Sequence, residues 1–307
     1  MSQYAIAIHG GAVTLEPGKL SPEEEAHQRE GLRQALHAGW QVLHEGGTAL
    51  DAVEAAVRSL EDNEHFNAGR GSSFTKQGEV EMDAAIMDGR TLQAGAVSAV
   101  KYAQNPISVA RAVMEHCPHV CLEGEGALEL ALECSLPVRP PTYFQTDKAR
   151  QEWLEQLQQG TLHEQKHDTV GAVALDQAGN LAVATSTGGL EGQAKGRVGD
   201  SSVLGAGTYA SNEACAVSCT GDGEVILRGA LAHEVYALVK YKGLPLAEAC
   251  QTALHLHDDE LKGDKGFIAI DPQGNVALEC NTNVMRCACR VGTEEPFVAI
   301  WADEIPA

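Results

Sequence analysis

The chain has little positive charge. Only 22 of its 307 residues are Lys or Arg, against 43 Asp and Glu, which gives a formal net charge of −21 with His neutral. Nucleic acids are bound by basic faces that neutralise phosphates, so this composition argues against a nucleic-acid-binding protein. It argues equally against attachment to an anionic membrane surface. An anionic group on a substrate would need a local basic residue that works against the overall field.

Long apolar runs are also missing. No stretch approaches the roughly 20 apolar residues of a membrane-spanning helix, and residues 1–11 lack the charged start and apolar centre of a secretory signal. The nine cysteines include no Cys-x-x-Cys pair, and the chain has no Asn-x-Ser/Thr sequon. These absences disfavour a zinc finger and a disulfide framework. We therefore expect a cytoplasmic protein with free thiols and no membrane partner.

Helical and strand patterns are present in both halves, with 32 glycines that indicate many tight turns. Helices are predicted at 22–45, 106–116, 123–134, 146–158 and 246–257, with one from Thr48 through Leu60 and a long one through Val225 and Val239. Strands are predicted at 4–9, 80–87, 92–100, 169–175, 181–187, 204–210, 214–219, 266–271, 276–280 and 296–301. His9-Gly10-Gly11-Ala12 is interpreted as a turn. The mixture of helices and antiparallel hairpins predicts one α+β domain over residues 1–307, not a Rossmann alternation.

A strand begins abruptly at Thr169, after a polar link at 158–167. If the Asp168–Thr169 peptide bond were cut, Thr169 would carry a free α-amine, which titrates near roughly 7.7–8.0. That amine can accept the proton of the neighbouring hydroxyl, so Thr169 would be a self-sufficient nucleophile. Taken alone, however, Asp-Thr before an apolar run is more typical of an ordinary turn and strand.

Two further threonines, Thr187 and Thr220, stand at predicted strand ends and are followed by glycine. The Thr220 hydroxyl and the Gly221 N–H are groups that can stabilise an oxyanion. Arg197 and Asp200 lie three residues apart in a glycine-rich loop. They are either a solvated surface pair or a clamp for an amino acid, in which Arg197 grips the α-carboxylate with its planar fork and Asp200 holds the α-ammonium.

Two other patterns are assigned no chemistry. The glycine-rich loop at 188–200 lacks the Gly-Lys-Ser/Thr ending of a phosphate-binding loop. Glu81 and Asp83 alternate along one predicted strand and would share a face. Paired carboxylates can perform acid–base catalysis, but we interpret Asp83 as structural and Glu81 as a strand-end charge.

The ordered set of motifs resembles the plant-type L-asparaginases, also called isoaspartyl or β-aspartyl peptidases, and is most similar to their eukaryotic-like cytosolic members. These are N-terminal-nucleophile hydrolases that cut themselves at a threonine. The motifs that carry the resemblance are His9-Gly10-Gly11-Ala12, Phe66-Asn67-Ala68-Gly69, Glu81-Met82-Asp83-Ala84, His167-Asp168-Thr169-Val170-Gly171-Ala172-Val173, Ala184-Thr185-Ser186-Thr187-Gly188-Gly189, Gly196-Arg197-Val198-Gly199-Asp200-Ser201 and Ser218-Cys219-Thr220-Gly221-Asp222-Gly223-Glu224.

The resemblance implies a role for each matching residue. Thr169 would be the nucleophile of both self-cleavage and substrate hydrolysis, and Thr187 would hydrogen-bond its hydroxyl. Thr220 and the Gly221 N–H would form the oxyanion hole. Asn67 would help to orient the amine of Thr169.

The resemblance also implies how the substrate is bound. Arg197 and Asp200 would hold the α-carboxylate and α-amine of an L-aspartyl group, with Gly221 and Gly223 close by. The expected substrates are L-asparagine and β-aspartyl dipeptides, and no cofactor is expected for catalysis. A structural sodium ion would be bound by backbone carbonyls of Leu60, Glu61, Asn63, Phe66, Ala68 and Arg70.

The expected fold is a four-layer αββα sandwich. Cleavage between Asp168 and Thr169 would divide the single catalytic domain into an α-subunit, 1–168, and a β-subunit, 169–307. Two such α/β heterodimers would form a dimer.

Two alternatives stay open. One is a related threonine hydrolase that acts on glycosylated asparagine or on aspartyl sites in proteins, although the former enzymes resemble secreted or lysosomal proteins. The other is an unprocessed, non-catalytic binding protein, against which the complete set of threonines with Arg197 and Asp200 counts. Gly192-Gln193 and Asp222 depart from the family pattern near the pocket mouth, which leaves the preference between asparagine and β-aspartyl peptides open.

Overall fold

The computed structural model describes residues 4–159 and 169–306. Its helices are α1 (Pro22–His44), α2 (Ala49–Glu61), α3 (Pro106–His116), α4 (Gly124–Glu133), α5 (Pro141–Phe144), α6 (Asp147–Gln159), α7 (Gly223–Gly229), α8 (Leu231–Lys242) and α9 (Leu246–His255). Its strands are β1 (Ala5–Val13), β2 (Met82–Asp88), β3 (Ala94–Val100), β4 (Cys121–Glu123), β5 (Val170–Leu175), β6 (Leu181–Thr187), β7 (Thr208–Ser211), β8 (Cys215–Gly221), β9 (Lys265–Ile270), β10 (Val276–Cys280), β11 (Val284–Val291) and β12 (Phe297–Trp301).

Within the described residues the strands form two sheets. The larger has the order β12-β11-β1-β5-β6-β2-β3-β4, and the smaller has the order β10-β9-β8-β7. Neighbours are antiparallel except for β3 and β4, which are parallel. The prediction of a mixed α+β fold is confirmed. No helix in the described part of the chain has the length and apolarity needed to cross a membrane.

Three apolar clusters stabilise this arrangement. One joins the larger sheet to helices α1 to α4. A second joins the smaller sheet to α8 and α9. The third contains residues of both sheets, such as Val173 of β5 and Ile268 of β9, so the two sheets face each other. Because β5 is buried on both faces, it consists almost wholly of small and β-branched apolar residues.

The beginnings of the first two helices follow from local chemistry. Ser21 caps α1, accepting from the N–H of Glu24 at 3.1 Å, and Pro22 occupies the first turn, where its missing N–H costs nothing. Thr48 caps α2 in the same way through the N–H of Asp51. Both helices were predicted at these positions, and the prediction is confirmed.

The predicted turn at His9-Gly10-Gly11-Ala12 is wrong, because β1 continues through these residues to Val13. The pairing of β1 with β11 shifts between His9 and Ala12, and Gly11 has φ +114°. Glycine adopts such a conformation without a steric penalty. The chain therefore continues in the same direction through a bulge-like irregularity and does not form a turn.

The second half holds two further differences. The single long helix predicted after the turn at 220–224 is two helices, because Ala230 adopts a left-handed conformation (φ +48°) between α7 and α8. Strand β11, which pairs with β1, was not predicted. Its apolar alternation is interrupted by Arg286, which is nevertheless buried and donates to Gln28 Oε1 at 2.7 Å.

Candidate active site

Thr169 immediately precedes β5, between β1 and β6 in the larger sheet, and it is buried. The antiparallel register pairs Val170 with Ser186, which places Thr169 beside Thr187 at the neighbouring strand end. Asp168 lies outside the described residues. The expected hydrogen bond between the Thr169 and Thr187 hydroxyls stays a prediction.

A chain of hydrogen bonds runs behind Thr169. Its carbonyl oxygen accepts from His9 Nδ1 at 3.0 Å, His9 Nε2 lies 2.9 Å from Ser218 Oγ, and this hydroxyl lies 2.7 Å from Thr185 Oγ1. Burial lowers the pKa of His9 to about 3, against the opposing effect of the bond to Thr169. The ring is therefore neutral. Because a carbonyl can only accept, the proton sits on Nδ1 and Nε2 accepts from Ser218.

The absence of a side chain at Gly171 makes this arrangement possible. A Cβ there would lie 2.1 Å from Ser218 Oγ and 2.4 Å from His9 Nε2. The sequence analysis placed His9 where a predicted strand meets a predicted turn and assigned it no contact with Thr169. The signal was the glycine inside an otherwise apolar strand, which often marks a close approach by another group.

Thr220, in β8 of the smaller sheet, lies at the same end of the two sheets as Thr169. His9 bonds both Thr169 and Ser218, and three residues further along β1 the N–H of Ala12 donates to Thr220 Oγ1 at 3.2 Å. The tertiary structure thus brings together strand ends that are 51 residues apart in numbering.

Gly221 follows Thr220 with φ +128°, a conformation that favours glycine. A Cβ at this position would lie 2.2 Å from the carbonyl oxygen of Asp264. That same oxygen accepts from the N–H of Asp222 at 2.7 Å. The turn after β8 is therefore held tightly, and α7 begins directly afterwards.

Asn67 is anchored to the turn that follows Thr187. Its Nδ2 donates to the carbonyl oxygen of Gly189 at 2.7 Å, and its Oδ1 accepts from both the N–H and the hydroxyl of Ser73. The N–H of Gly189 donates in turn to Thr187 Oγ1 at 3.1 Å. The described contacts of Asn67 therefore position the Thr187 turn, and its predicted contact with the amine of Thr169 stays a prediction.

Arg197 and Asp200 meet at Gly223, as the clamp interpretation requires. A Cβ on Gly223 would lie 2.7 Å from Arg197 Nη2 and 3.0 Å from Asp200 Oδ1. Burial raises the pKa of Asp200 to about 7, although the charge of Arg197 opposes the shift. Its Oδ2 has no hydrogen-bond partner among the described residues. Asp200 is thus a buried acceptor with unused capacity, and it does not belong to a solvated surface pair.

The partner of Arg197 is Glu224, a residue that sequence reasoning assigned no separate role. Nε and Nη2 of Arg197 each donate to one oxygen of this carboxylate, both at 2.9 Å. Partial burial raises the pKa of Glu224, but the hydrogen bonds from Arg197 outweigh it and hold this pKa below its usual range. The i, i+27 separation offers no local pattern by which the pair could be found.

The two carboxylates near β2 anchor the glycine-rich loop that carries Arg197. Asp83 accepts from the N–H groups of Ala99 and Gly199, and Glu81 accepts from the N–H of Gly196 at 2.7 Å. The interpretation of Asp83 as structural is consistent with these bonds. Glu81 lies just before β2, is buried and pairs with Lys101 at 3.3 Å, so this strand-end charge also anchors the loop.

The segment 60–70 turns closely on itself after α2. A Cβ on Gly69 would lie 2.3 Å from the Glu61 carbonyl oxygen, and one on Gly71 would lie 2.1 Å from that of Phe66. The Phe66 oxygen also accepts from the N–H of Ala68 at 2.9 Å. The atoms that approach these glycines are thus backbone carbonyl oxygens, and carbonyl oxygen is a ligand type that hard cations prefer.

Known proteins resemble this chain over nearly its full length. A family model described as asparaginase matches residues 2–300. An isoaspartyl peptidase of Escherichia coli (strain K12) is 43% identical, with 99% of this chain and 98% of that protein covered. A plant-type L-asparaginase of Pyrococcus abyssi is 44% identical (96% and 99% covered). An isoaspartyl peptidase/L-asparaginase of Xenopus laevis is 41% identical (97% and 96% covered).

The resemblance inferred from the motifs is confirmed by these matches, which extend through both halves of the molecule and include every strand end described above. The chain belongs to the asparaginase family.

Proposed function

We propose that this protein is a self-processing threonine hydrolase that converts L-asparagine to L-aspartate and ammonia and cleaves β-aspartyl dipeptides. The activities for which its relatives are named support this proposal. The observation that carries the proposal is the position of Thr169. It is buried at the start of a central strand, beside Thr187 and at the same end of the sheets as Thr220.

The fold proposed for this activity is the four-layer αββα sandwich of N-terminal-nucleophile hydrolases. The apolar cluster shared by the two sheets supports the inner layers, and the clusters that join each sheet to its helices support the outer ones. In this arrangement a single catalytic domain spans residues 1–307.

Self-processing would begin with attack of the Thr169 hydroxyl on the carbonyl carbon of Asp168. The peptide C–N bond breaks as the acyl group moves from nitrogen to oxygen, which leaves an ester and a free α-amine. Water then hydrolyses the ester. The products are an α-subunit, 1–168, and a β-subunit, 169–307, whose first residue carries both nucleophile and base.

In the mature enzyme the hydroxyl oxygen of Thr169 would also attack the substrate. Thr169 Oγ1 attacks the side-chain amide carbonyl while the α-amine takes its proton, and Thr220 with the Gly221 N–H stabilises the oxyanion. Thr187 would hydrogen-bond the nucleophile, and Asn67 would orient its amine. The amine then gives the proton to the departing ammonia or peptide, and water hydrolyses the β-aspartyl ester.

Substrate would be recognised by its two α-substituents. Arg197 would bind the α-carboxylate, and Asp200 would bind the α-ammonium beside Gly221 and Gly223. This role is supported by Oδ2 of Asp200, which is buried and has no hydrogen-bond partner within residues 4–159 and 169–306. A buried carboxyl group whose pKa is raised by desolvation becomes fully charged when a cation is placed beside it.

A structural sodium ion is proposed in the segment 60–70, bound by the backbone carbonyls of Leu60, Glu61, Asn63, Phe66, Ala68 and Arg70. The proposal is supported by the close approach of the Glu61 and Phe66 carbonyl oxygens to Gly69 and Gly71. By ordering this segment the ion would support Asn67, and no catalytic step is assigned to it.

A cytoplasmic location and a dimer of α/β heterodimers complete the proposal. All nine cysteines are free, which suits a reducing compartment.

The decisive experiment is a denaturing gel of the purified full-length protein with N-terminal sequencing of its bands. We expect two fragments, the smaller beginning Thr-Val-Gly-Ala-Val, and a single intact, inactive chain for Thr169→Ala. A wild-type chain that stays intact on prolonged incubation and is inactive would overturn the proposal and favour a binding protein.

Assays of the processed protein then separate the substrate classes. We expect release of ammonia from asparagine and of the free amino acid from a β-aspartyl dipeptide. Turnover of glycosyl-asparagine in preference to both would favour the related hydrolase instead.

A further inference from the structure

Three metal-ligating side chains meet where α1 faces the segment after α2. Glu24 and His27 are one turn apart on α1, and His65 extends from the segment toward them. Their ligand atoms all lie within 4.8 Å of one another. His65 Nδ1 is 3.3 Å from Glu24 Oε1, and the two imidazole rings have centroids 4.6 Å apart with a 31° tilt.

These separations suit a tetrahedral metal ion. Zinc binds imidazole nitrogen and carboxylate oxygen at about 2.0–2.2 Å, which puts neighbouring ligand atoms about 3.3–3.5 Å apart. The Glu24–His65 pair already has this spacing. His27 is exposed, so water can reach the cluster from its side.

We propose that Glu24, His27 and His65 form a binding site for a divalent transition-metal ion of the zinc class. Two imidazoles with one carboxylate are a ligand set that zinc uses in proteins. This chemistry distinguishes the site from the proposed sodium site, which has backbone oxygens only. His65 also lines an open surface cleft of about 630 Å³, so a hydrated ion can reach it from solvent.

Charges of both signs lie near the cluster, because the cleft that His65 lines also contains Arg58 and Arg70. The first turn of α1 carries Glu23 and Glu25 in addition to Glu24. Part of this charge is balanced, because Glu25 pairs with Arg29 at 2.9 Å.

A metal at this site would connect α1 to the segment that carries Asn67. His65 precedes Asn67 by two residues, and Asn67 anchors the Gly189 turn. Metal binding would therefore restrict the motion of a segment next to the Thr169 region. The proposal does not depend on the catalytic one, because it is tested by binding to the folded protein.

The test uses full-length protein stripped with a chelator and then titrated with Co²⁺ and Zn²⁺. Co²⁺ reports coordination through its visible absorption, and Zn²⁺ affinity is measured by competition against it. We expect one ion per chain at the site and a zinc affinity at least about tenfold weaker in His27→Gln and His65→Gln. His37→Gln, which removes an exposed histidine of the same helix outside the cluster, should bind as the wild type does.

Unfolding temperature provides a second measurement. Zinc should raise the Tm of the wild type and of His37→Gln, because a ligand that binds only the folded state stabilises it, and it should leave that of His27→Gln unchanged. Since His27 is exposed, its replacement does not endanger folding. Equal zinc affinities for the wild type and both cluster variants, or no Co²⁺ spectrum in the wild type, would overturn the proposal.

Discussion

Arg197 is held by Glu224 through two hydrogen bonds of 2.9 Å, which use the Nε and Nη2 edge of the guanidinium. The bidentate geometry fixes the plane of the group and leaves Nη1 outside the pair. The Arg197 side chain is 13% exposed and that of Glu224 is 54% exposed. Glu224 is therefore a positioning residue that orients Arg197 toward the Asp200 side of the site.

Replacement of Glu224 should mainly weaken substrate binding. In Glu224→Gln one oxygen still accepts but the charge and the second acceptor are lost, so we expect KM for asparagine to rise by about tenfold with a much smaller change in kcat. Arg197→Lys should raise KM further, because an ammonium cannot reproduce the planar fork.

Steady-state kinetics of both variants checks this prediction. A fall in KM for Glu224→Gln would contradict it and would mean that Glu224 competes with the substrate carboxylate for Arg197.

Loss of the Thr220 hydroxyl should impair the chemical step. Thr220→Val keeps the shape of a fully buried side chain and removes one oxyanion donor, for which we expect kcat to fall by roughly 10²–10³. Because Thr220 Oγ1 also accepts from the N–H of Ala12, the matched control is Thr220→Ser, which retains the hydroxyl. Both variants are first processed to completion and then assayed under single-turnover conditions. Equal rates for Thr220→Val and Thr220→Ser would show that the Thr220 hydroxyl does not stabilise the oxyanion.

The raised pKa of Asp200 predicts a difference between two pH profiles. In the free enzyme, burial raises this pKa to about 7, so the charged form needed for the substrate ammonium is lost as pH falls through neutrality. The α-amine of Thr169 titrates near roughly 7.7–8.0 and must be neutral. We therefore expect kcat/KM to fall more steeply than kcat in acid, because bound substrate restores the charge of Asp200.

Profiles for kcat and kcat/KM between about pH 5 and 9 test this prediction. Asp200→Asn should raise KM strongly, and its residual kcat/KM should follow a single ionisation. Parallel profiles in the wild type would show that Asp200 does not titrate in this range.

Glu61 should make the protein less stable as pH rises. Burial raises its pKa to about 8, while hydrogen bonds from Ser186 Oγ and the N–H of Ile107 oppose the shift. The folded state thus keeps a proton that the unfolded state loses above about pH 4.5. The stability contributed by this proton is complete below that pH and is lost as pH rises toward 8.

Glu61→Gln, which has no proton to lose, should remove that part of the pH dependence. We expect the variant to gain on the order of 3 kcal/mol relative to the wild type between pH 5 and pH 8. Thermal unfolding of both proteins across this range gives the difference directly, and other titrating groups cancel in it. A constant difference in Tm would show that Glu61 is charged throughout.

Local signals were sufficient for much of the fold. The helices α1, α2 and α3 were all predicted close to where they begin, and the structure shows local features that fix those starts: the Ser21 and Thr48 caps and the proline in the first turn of α3. Strand β11 was missed because Arg286 interrupts its alternation, and that arginine is buried with Gln28 as one of its hydrogen-bond partners. A partner 258 residues away leaves no trace in a local pattern.

The site, like the fold, depends partly on local sequence signals and partly on long-range contacts. The sequence by itself determined the family, the threonine at the start of a central strand and the start of each capped helix, because periodicity and capping act within a few residues. Only the tertiary structure decided that His9 supports the Thr169 carbonyl, that Glu224 holds Arg197 and that Asp200 is buried beside Gly223. Burial and pairing depend on which distant segments pack together, and so does the chemistry of each of these groups.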